Sequence, residues 1–238
     1  MSAEQTIPTV NLEDYTEGNA DQKQAFVDEF GEALETLGFV AVDGHGVPQE
    51  LIDRNYELFE ALFDLDEETK LKYERPETGR QRGYTPFGVE QAKHKETPDL
   101  KEFWHVGREV APDSELAERM PPNVWPEELP ELRDTALELY FAMERSAMQM
   151  LAAISDYLGQ LTDLIPRKAD EGNSIMRIIH YPVCEGFDEP GAMRAAEHED
   201  INLITLLPAA TNSGLEIMTR DGEWMPVPSK KGQLIVDT

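Results

Sequence analysis

The chain has 238 residues, of which 40% are hydrophobic, and it carries 48 acidic against 21 basic side chains, a formal net charge of -27. Such a charge disfavours binding to nucleic acid or to an anionic membrane surface, and no apolar run approaches the roughly 20 residues that a membrane-spanning helix needs. The single cysteine, Cys184, excludes an internal disulfide framework; with no recognisable secretory signal at the amino terminus, we expect a reducing, cytoplasmic location.

The first 70 residues predict short strands and helices in turn, because apolar residues recur at alternating or helical spacing between capping and turn residues. Asn19 or Asp21 can cap the first long helix, which ends at Gly38, and Pro48 opens the next one. The predicted elements are a strand at 7–12, a helix from about 20 to 37, a strand at 39–42, a helix from 48 and a short helix from about 66.

Regular patterns fade from about 76 to 130, apart from turn chemistry at 80–88 and a candidate strand at 103–106. A long helix is then predicted from about 129 to 158, because apolar side chains recur along one broad face. After residue 172 the pattern is typical of short strands separated by turns. These strands are predicted at 174–181, 193–198, 201–207, 214–218, 223–227 and 233–236, with a hairpin turn at 220–223.

Helices first and closely spaced strands later predict a mixed α/β (α+β) fold, an antiparallel sandwich or barrel with helices on one face. We find no internal repeat and no low-complexity linker, so 1–238 is interpreted as a single domain with a helical part up to about 172 and a strand part at 173–238. A jelly roll needs about eight strands, and the second part supplies fewer. We therefore expect the sequence to continue beyond Thr238.

Residues 197–207 (EHEDINLITLL) carry the clearest sign of chemistry. Acids and a histidine run into a β-branched apolar tract, which predicts a strand. Alternate residues of a strand point to one face, so His198 and Asp200 are expected to project together. An imidazole and a carboxylate side by side are two of the three ligands of the 2-His-1-carboxylate triad that holds non-haem Fe(II). A His-x-Asp tripeptide by itself is only weak evidence for an iron site, so the interpretation depends on the surrounding residues.

The chain resembles the isopenicillin N synthase-like family of non-haem Fe(II), 2-oxoglutarate-dependent oxygenases, in order and along nearly its whole length. The blocks that match this family's motifs are 38–47 (GFVAVDGHGV), 63–70 (FDLDEETK), 82–90 (RGYTPFGVE), 99–103 (DLKEF), 123–126 (NVWP), 176–184 (MRIIHYPVC), 198–207 (HEDINLITLL), 214–217 (GLEI), 222–224 (GEW) and 232–237 (GQLIVD). The resemblance implies a double-stranded β-helix (jelly-roll) core with N-terminal and flanking helices.

The same resemblance implies roles for individual side chains. His198 and Asp200 match the residues that bind iron. Tyr181 matches the tyrosine whose hydroxyl helps to hold the distal carboxylate of 2-oxoglutarate. Ile179 and His180 stand where the family has an asparagine and a tyrosine, so the polar wall beside the co-substrate is altered here.

The second iron-binding histidine of the family is expected beyond Thr238, followed by the arginine and serine that grip 2-oxoglutarate. The other histidines do not match it. His45 lies in a glycine-rich turn, where it is expected to bond backbone, and His94 lies in a polar loop. His105 and His180 lie on candidate strands, where a hydrogen-bonded structural histidine is the default.

Five further residues are candidates for the pocket. Arg177 could place positive charge at its mouth, but a structural ion pair explains this arginine equally well. Leu206 could pack near the iron, although core packing explains it equally well. Phe87, Phe103 and Trp104 are candidates for an apolar shell that protects the oxidant.

The resemblance implies a dioxygenase that uses Fe(II), 2-oxoglutarate and O2 to oxidise, in the simplest case to hydroxylate, a small organic substrate with release of succinate and CO2. Two alternatives stay open: an iron oxidase or cyclase of the same family that works without 2-oxoglutarate, and a catalytically inert sandwich that serves as a binding module. The presence of an Arg-x-Ser pair after Thr238 bears on the first alternative, and loss of the distal histidine would favour the second.

Overall fold

The structure, a computed structural model, describes residues 6–90, 99–183, 193–228 and 230–238. Within these ranges the fold is mixed α/β, as predicted. The α-helices are α1 (Leu12–Thr16), α2 (Ala20–Thr36), α3 (Gln49–Phe63), α4 (Glu67–Leu71), α5 (Leu132–Tyr157) and α6 (Leu164–Ala169). The strands are β1 (Thr9–Asn11), β2 (Phe39–Asp43), β3 (Gly83–Thr85), β4 (Glu102–Gly107), β5 (Ile175–His180), β6 (Thr205–Pro208), β7 (Glu216–Met218), β8 (Trp224–Pro226) and β9 (Leu234–Asp237).

Helix α2 begins and ends at the residues that its sequence indicates. The Asn19 side chain accepts hydrogen bonds from the backbone N–H groups of Asp21 and Gln22, and the Gln22 side chain accepts one from the Asn19 N–H, which makes a capping box. Gly38 follows the helix at φ +80°, a left-handed conformation that glycine adopts without steric cost. Of the two predicted caps, the structure uses Asn19.

The contacts divide the chain into two compact units. The first comprises 1–49, 141–170 and 200–238, and the second comprises 50–140 and 171–199. Each unit holds helices and strands from separate parts of the chain. The predicted division into a helical part and a strand part therefore describes the order of the elements, not the compact units.

The first unit contains a four-stranded sheet in the order β1-β2-β9-β6, in which β1 and β2 are parallel and the other pairs are antiparallel. Strands β7 and β8 form the predicted hairpin, and its turn is closed by hydrogen bonds between Thr219 and Glu223 and between Gly222 and Thr219. Buried side chains from both sheets share one core, formed by Ile7, Ala41, Ile217, Val227 and Ile235.

The second unit is built on the antiparallel sheet β3-β4-β5. One face of this sheet packs against apolar side chains of α3 and of the first turns of α5. The buried cluster comprises Leu58, Phe59, Leu62, Phe63, Tyr84, Trp104, Val106, Leu132, Ala136, Leu137 and Tyr140. All six residues of β4 are buried, so this strand is the centre of the unit.

Several predicted elements differ from the structure. The sequence patterns miss α1, α6 and β3. The predicted strand at 193–198 is wrong, and the one at 201–207 is reduced to β6. The remaining strands and helices are confirmed with small changes in their limits. None of the helices among the described residues has the length and apolar character needed to cross a membrane.

Candidate active site

The sheet of the second unit separates two sets of polar side chains. The register pairs Trp104 with Ile178 and His105 with Arg177, and neighbours along a strand point to opposite faces. Trp104 and Ile178 belong to the apolar core, whereas Arg177 is exposed. On the side of the core lies what we call the core-side cluster: Lys70, Tyr84, Glu102 and His180. On the other side lies what we call the open-face cluster: Glu90, Asp99, Lys101, His105 and Arg177.

The core-side cluster is centred on Glu102, whose side chain is buried. Its carboxylate accepts hydrogen bonds from Lys70 Nζ at 2.8 Å, from Tyr84 Oη at 2.5 Å and from His180 Nδ1 at 2.8 Å. The ring of His180 also stacks on Phe63, with 5.1 Å between centroids. Burial alone would raise the pKa of Glu102, but the three hydrogen bonds outweigh it and lower the pKa. The carboxylate is therefore ionised and engaged in holding the unit together.

The open-face cluster is centred on Lys101, whose side chain is 5% exposed. Its Nζ lies 2.8 Å from Glu90 and 2.9 Å from Asp99. Burial would lower the pKa of Lys101, but the two carboxylates outweigh it and raise the pKa. Glu90 in turn accepts a hydrogen bond from Arg177 at 3.0 Å. The charges of Asp99, Lys101, Glu90 and Arg177 thus alternate in sign, and the two that are buried, Asp99 and Lys101, compensate each other.

Arg177 is held on three sides. Besides its bond to Glu90, its Nε donates to His105 Nε2 at 2.7 Å, and its guanidinium lies 4.6 Å above the ring of Phe103. These contacts favour the interpretation of Arg177 as part of a structural ion pair. His105 Nδ1 lies 2.8 Å from Arg80 O; because Nε2 accepts, Nδ1 carries the proton. Burial lowers the pKa of His105 to about 4, so this imidazole is neutral near pH 7.

Tyr181 directly follows β5 and is 37% exposed. Burial raises the pKa of its hydroxyl. The carboxylates of Asp99 and Glu90 raise this pKa further and the cations of Lys101 and Arg177 lower it, so the net change is a rise. The hydroxyl therefore stays protonated and can donate a hydrogen bond to a carboxylate. Its role as an anchor for 2-oxoglutarate stays a prediction.

His198 lies in an irregular segment at the end of the second unit, and its side chain is exposed. Its Nδ1 lies 2.8 Å from Ala196 O, so Nδ1–H donates to the carbonyl, and Nε2 is the ring nitrogen that would bind a metal. Histidines that bind a metal commonly donate their other ring N–H to a backbone carbonyl in this way. The tautomer of His198 thus suits a metal ligand.

Asp200 begins the last segment of the first unit, and it is also exposed. Its Oδ2 accepts hydrogen bonds from Thr205 Oγ1 at 2.6 Å and from Asn202 Nδ2 at 3.4 Å. Such local side-chain bonds compete with strand pairing, and they give a physical reason why the predicted strand does not form here. The alternation of a strand therefore no longer supports a shared face for His198, which belongs to the second unit, and Asp200, which belongs to the first.

The donor set fits iron in its chemistry. An imidazole nitrogen and a carboxylate oxygen are two of the three ligands of the facial triad, and His198 and Asp200 supply one of each. Across the parts of the chain that the structure describes, no group of three or more histidine, cysteine, aspartate or glutamate side chains is placed to hold a metal. The third ligand expected from the sequence comparison stays a prediction.

The apolar candidates fall into different places. Phe103 is 3% exposed and lies beneath the guanidinium of Arg177. Trp104 is fully buried on the opposite side of the sheet, in the core of the second unit, which corrects the prediction that it lines a pocket. Leu206 is half-buried on β6, opposite Val236, and Phe87 is half-buried.

Two further histidines, the cysteine and two charged residues remain. His45 is buried and its Nδ1 accepts a hydrogen bond from the Val47 N–H at 3.1 Å, which confirms the predicted backbone bond. His94 and Cys184 lie outside the described residues. Sequence reasoning missed Asp99 and Lys101 as possible contributors to the site. Their signal was the run of charges at 99, 101 and 102, where a buried strand begins.

Two protein-family models match the chain. The model described as "non-haem dioxygenase in morphine synthesis N-terminal" matches residues 7–128, and the model of the 2OG-Fe(II) oxygenase superfamily matches residues 172–238. Together they cover most of the chain, in the order in which the two parts occur here.

Curated relatives and solved structures agree with these matches. Validamycin A dioxygenase of Streptomyces hygroscopicus subsp. limoneus is 30% identical over 240 residues, which cover 98% of this chain and 66% of that protein. The crystal structure of a Caulobacter crescentus protein assigned to the 2OG-Fe(II) oxygenase family is 36% identical, with a TM-score of 0.84 over 97% of this chain and 73% of that one. A full-length Neurospora crassa protein, crystallised in complex with alpha-KG, has a TM-score of 0.86 at 24% identity, over 100% of this chain and 74% of that one. The chain thus spans about two thirds to three quarters of the length of these proteins.

Proposed function

Because the chain belongs to the 2OG-Fe(II) oxygenase superfamily, a class of Fe(II)- and 2-oxoglutarate-dependent dioxygenases, we propose that the whole protein hydroxylates a small organic substrate and releases succinate and CO2. The cofactor of this class is Fe(II), and its co-substrates are 2-oxoglutarate and O2. The observation that carries the proposal is the match of both family models, in order, to the two parts of the chain. The relatives are named dioxygenases, which favours this activity over the oxidase and over the inert binding module.

We assign His198 and Asp200 as two of the iron ligands, with a third histidine after Thr238, and Tyr181 as an anchor for the distal carboxylate of 2-oxoglutarate. The bound iron and co-substrate supply the oxidising chemistry. The chain's own residues bind and orient them: His198 offers Nε2 because Nδ1–H is engaged by Ala196 O, and the protonated hydroxyl of Tyr181 can donate to a carboxylate.

The proposal extends to the fold and the location of the whole protein. We propose a double-stranded β-helix (jelly-roll) core with flanking helices, as the comparison with the Caulobacter structure supports. A cytoplasmic location fits the single cysteine. The substrate is a small molecule.

The first experiment measures succinate release by the purified full-length protein supplied with Fe(II), 2-oxoglutarate and O2. We expect His198→Ala and Asp200→Ala to abolish it, because each removes a metal ligand, while circular dichroism shows an unchanged fold. Glu199→Ala is the matched control, since Glu199 is an exposed acid between the two ligands. Succinate release by either ligand variant at the rate of Glu199→Ala would contradict the assignment.

A further inference from the structure

The segment that carries His198 is attached at two points to the residues that directly precede β4 in the second unit. The Leu100 N–H donates to Met193 O at 2.9 Å, and the Ala196 N–H donates to Asp99 Oδ1 at 3.1 Å. Ala196 is 4% exposed, whereas every other residue from 193 to 203 is exposed. Ala196 is therefore the point at which this exposed segment is anchored.

The imidazole of His198 is bonded to that same anchor. Its Nδ1–H donates to Ala196 O at 2.8 Å. The backbone of Ala196 thus links two side chains, donating to Asp99 through its N–H and accepting from His198 through its carbonyl. A shift of this backbone would change the direction of Nε2.

Asp99 is itself rigidly held. Its side chain is 4% exposed, and its Oδ2 lies 2.9 Å from Lys101 Nζ, which is equally buried. One carboxylate oxygen is thus committed to Lys101 and the other to Ala196. Hydrogen bonds to an ionised carboxylate are shorter and stronger than neutral ones. Movement of Ala196 would therefore require the loss of a charge-assisted bond in a buried place.

We propose that Asp99 is a positioning residue that fixes the orientation of His198 through the Ala196 backbone and thereby sets the metal affinity of the centre. The inference rests on the proposed role of His198 as an iron ligand. Partners that orient a metal-binding histidine typically change metal affinity by about 10–100-fold when they are mutated. Asp99 acts one peptide group further away, so we expect its substitution to change the metal affinity by about tenfold, the lower limit of this range.

The test is a Co(II) titration of the metal-free full-length protein, followed by visible absorption. We expect Asp99→Ala to weaken Co(II) binding by about tenfold. Asp99→Asn keeps an oxygen that can accept from the Ala196 N–H, so its affinity should stay within about threefold of the unsubstituted protein. A retained affinity in Asp99→Asn would show that the hydrogen bond to Ala196, and not the negative charge of Asp99, sets the metal affinity.

Glu90→Gln is the matched control. Glu90 is the other carboxylate on Lys101, at 2.8 Å, and the described bonds of this carboxylate go to Lys101 and Arg177. The backbone carbonyl of Glu90 accepts from the Asp99 N–H at 3.0 Å, a bond that the substitution by glutamine keeps. The control loses the same kind of ion pair as Asp99→Ala but leaves the bond to Ala196 in place. We expect its Co(II) affinity to equal that of the unsubstituted protein.

Three outcomes would overturn the inference: unchanged affinity in Asp99→Ala, an equal loss in Glu90→Gln, or no rescue in Asp99→Asn. Should Asp99→Ala fail to fold by circular dichroism, Asp99→Ser, whose side chain is too short to reach Ala196, takes its place with the same criteria. His198→Ala distinguishes a wrong ligand assignment from a wrong role for Asp99. If His198→Ala binds Co(II) as tightly as the unsubstituted protein, the assignment of His198 as a metal ligand is wrong. If His198→Ala loses affinity and Asp99→Ala does not, only the proposed role of Asp99 is wrong.

Discussion

The two faces of the sheet β3-β4-β5 use similar buried charges for different purposes. Lys101 and Glu102 are neighbours in the sequence, yet Lys101 belongs to the open-face cluster and Glu102 to the core-side cluster. The partners of Glu102 lie on helix α4 and on strands β3 and β5, so this cluster ties a helix to the sheet. Lys101 instead forms an ion pair with Asp99, and Asp99 accepts a hydrogen bond from Ala196 in the segment that carries His198. One strand thus separates groups that stabilise the fold from groups that reach the proposed site.

The largest expected effect follows from breaking the core-side cluster. Glu102→Ala should lower the free energy of unfolding by about 3–5 kcal/mol, because it leaves the buried ammonium of Lys70 without its partner. Urea unfolding measures this loss. The double variant Lys70→Met/Glu102→Leu replaces both charges with apolar groups and should lose much less. A loss below about 1 kcal/mol in Glu102→Ala would show that the cluster does not hold the unit together.

The open-face cluster should instead show itself in the pH dependence of stability. The pKa of His105 is lowered to about 4 by burial, so folding favours the neutral imidazole. The contribution of His105 to the free energy of unfolding is fully present above about pH 6.5, the pKa of histidine in the unfolded chain, and is lost as the pH falls through about 4. We expect the protein to lose about 3 kcal/mol more between pH 7 and pH 4 than His105→Gln, which cannot titrate there. Parallel pH profiles in urea unfolding would contradict this.

The next effect concerns the proposed role of Tyr181 in binding 2-oxoglutarate. Tyr181→Phe should raise the KM for 2-oxoglutarate roughly tenfold, because a hydrogen bond to a charged group contributes about 1.5 kcal/mol or more. Iron affinity should not change. Tyr157→Phe removes a hydroxyl that bonds Glu35 in the first unit and should leave both quantities unchanged. An unaltered KM in Tyr181→Phe would remove that residue from the anchoring role.

The smallest effect is expected at the edge of the core-side cluster. Asp66 caps α4 by accepting hydrogen bonds from the backbone N–H and the hydroxyl of Thr69, both at 2.9 Å, and α4 carries Lys70. Asp66→Ala should lower Tm by a few degrees and should leave the KM for 2-oxoglutarate and the Co(II) affinity unchanged. A change in either of the last two would show that the two faces are not independent.

Elements with local signals were predictable from the sequence. The cap at Asn19 and the glycine at Gly38 set the limits of α2, and the apolar run after Glu102 predicts β4. Strand β3 was missed because its three residues become a strand by pairing with β4, which no local pattern records. The matched motifs likewise led to His198, Asp200 and the family.

The surroundings of the candidate site depend on contacts between distant residues. Asp99 and Ala196 are bonded across 97 positions of the sequence, so no spacing rule could connect them. The segment at 193–198, where a strand was predicted, is likewise held by contacts with distant residues, Leu100 and Asp99. The buried position of Trp104, on the face of β4 opposite to Phe103, could be assigned only once the register of β4 with β5 was known.

The central claim is that His198 and Asp200 share one iron ion. The most direct test is a crystal structure of the full-length protein grown without oxygen in the presence of Fe(II) and 2-oxoglutarate, with an anomalous difference map at the iron edge. We predict one iron peak within about 2.0–2.2 Å of both His198 Nε2 and a carboxylate oxygen of Asp200. An iron peak that lies away from either of these two side chains would contradict the account.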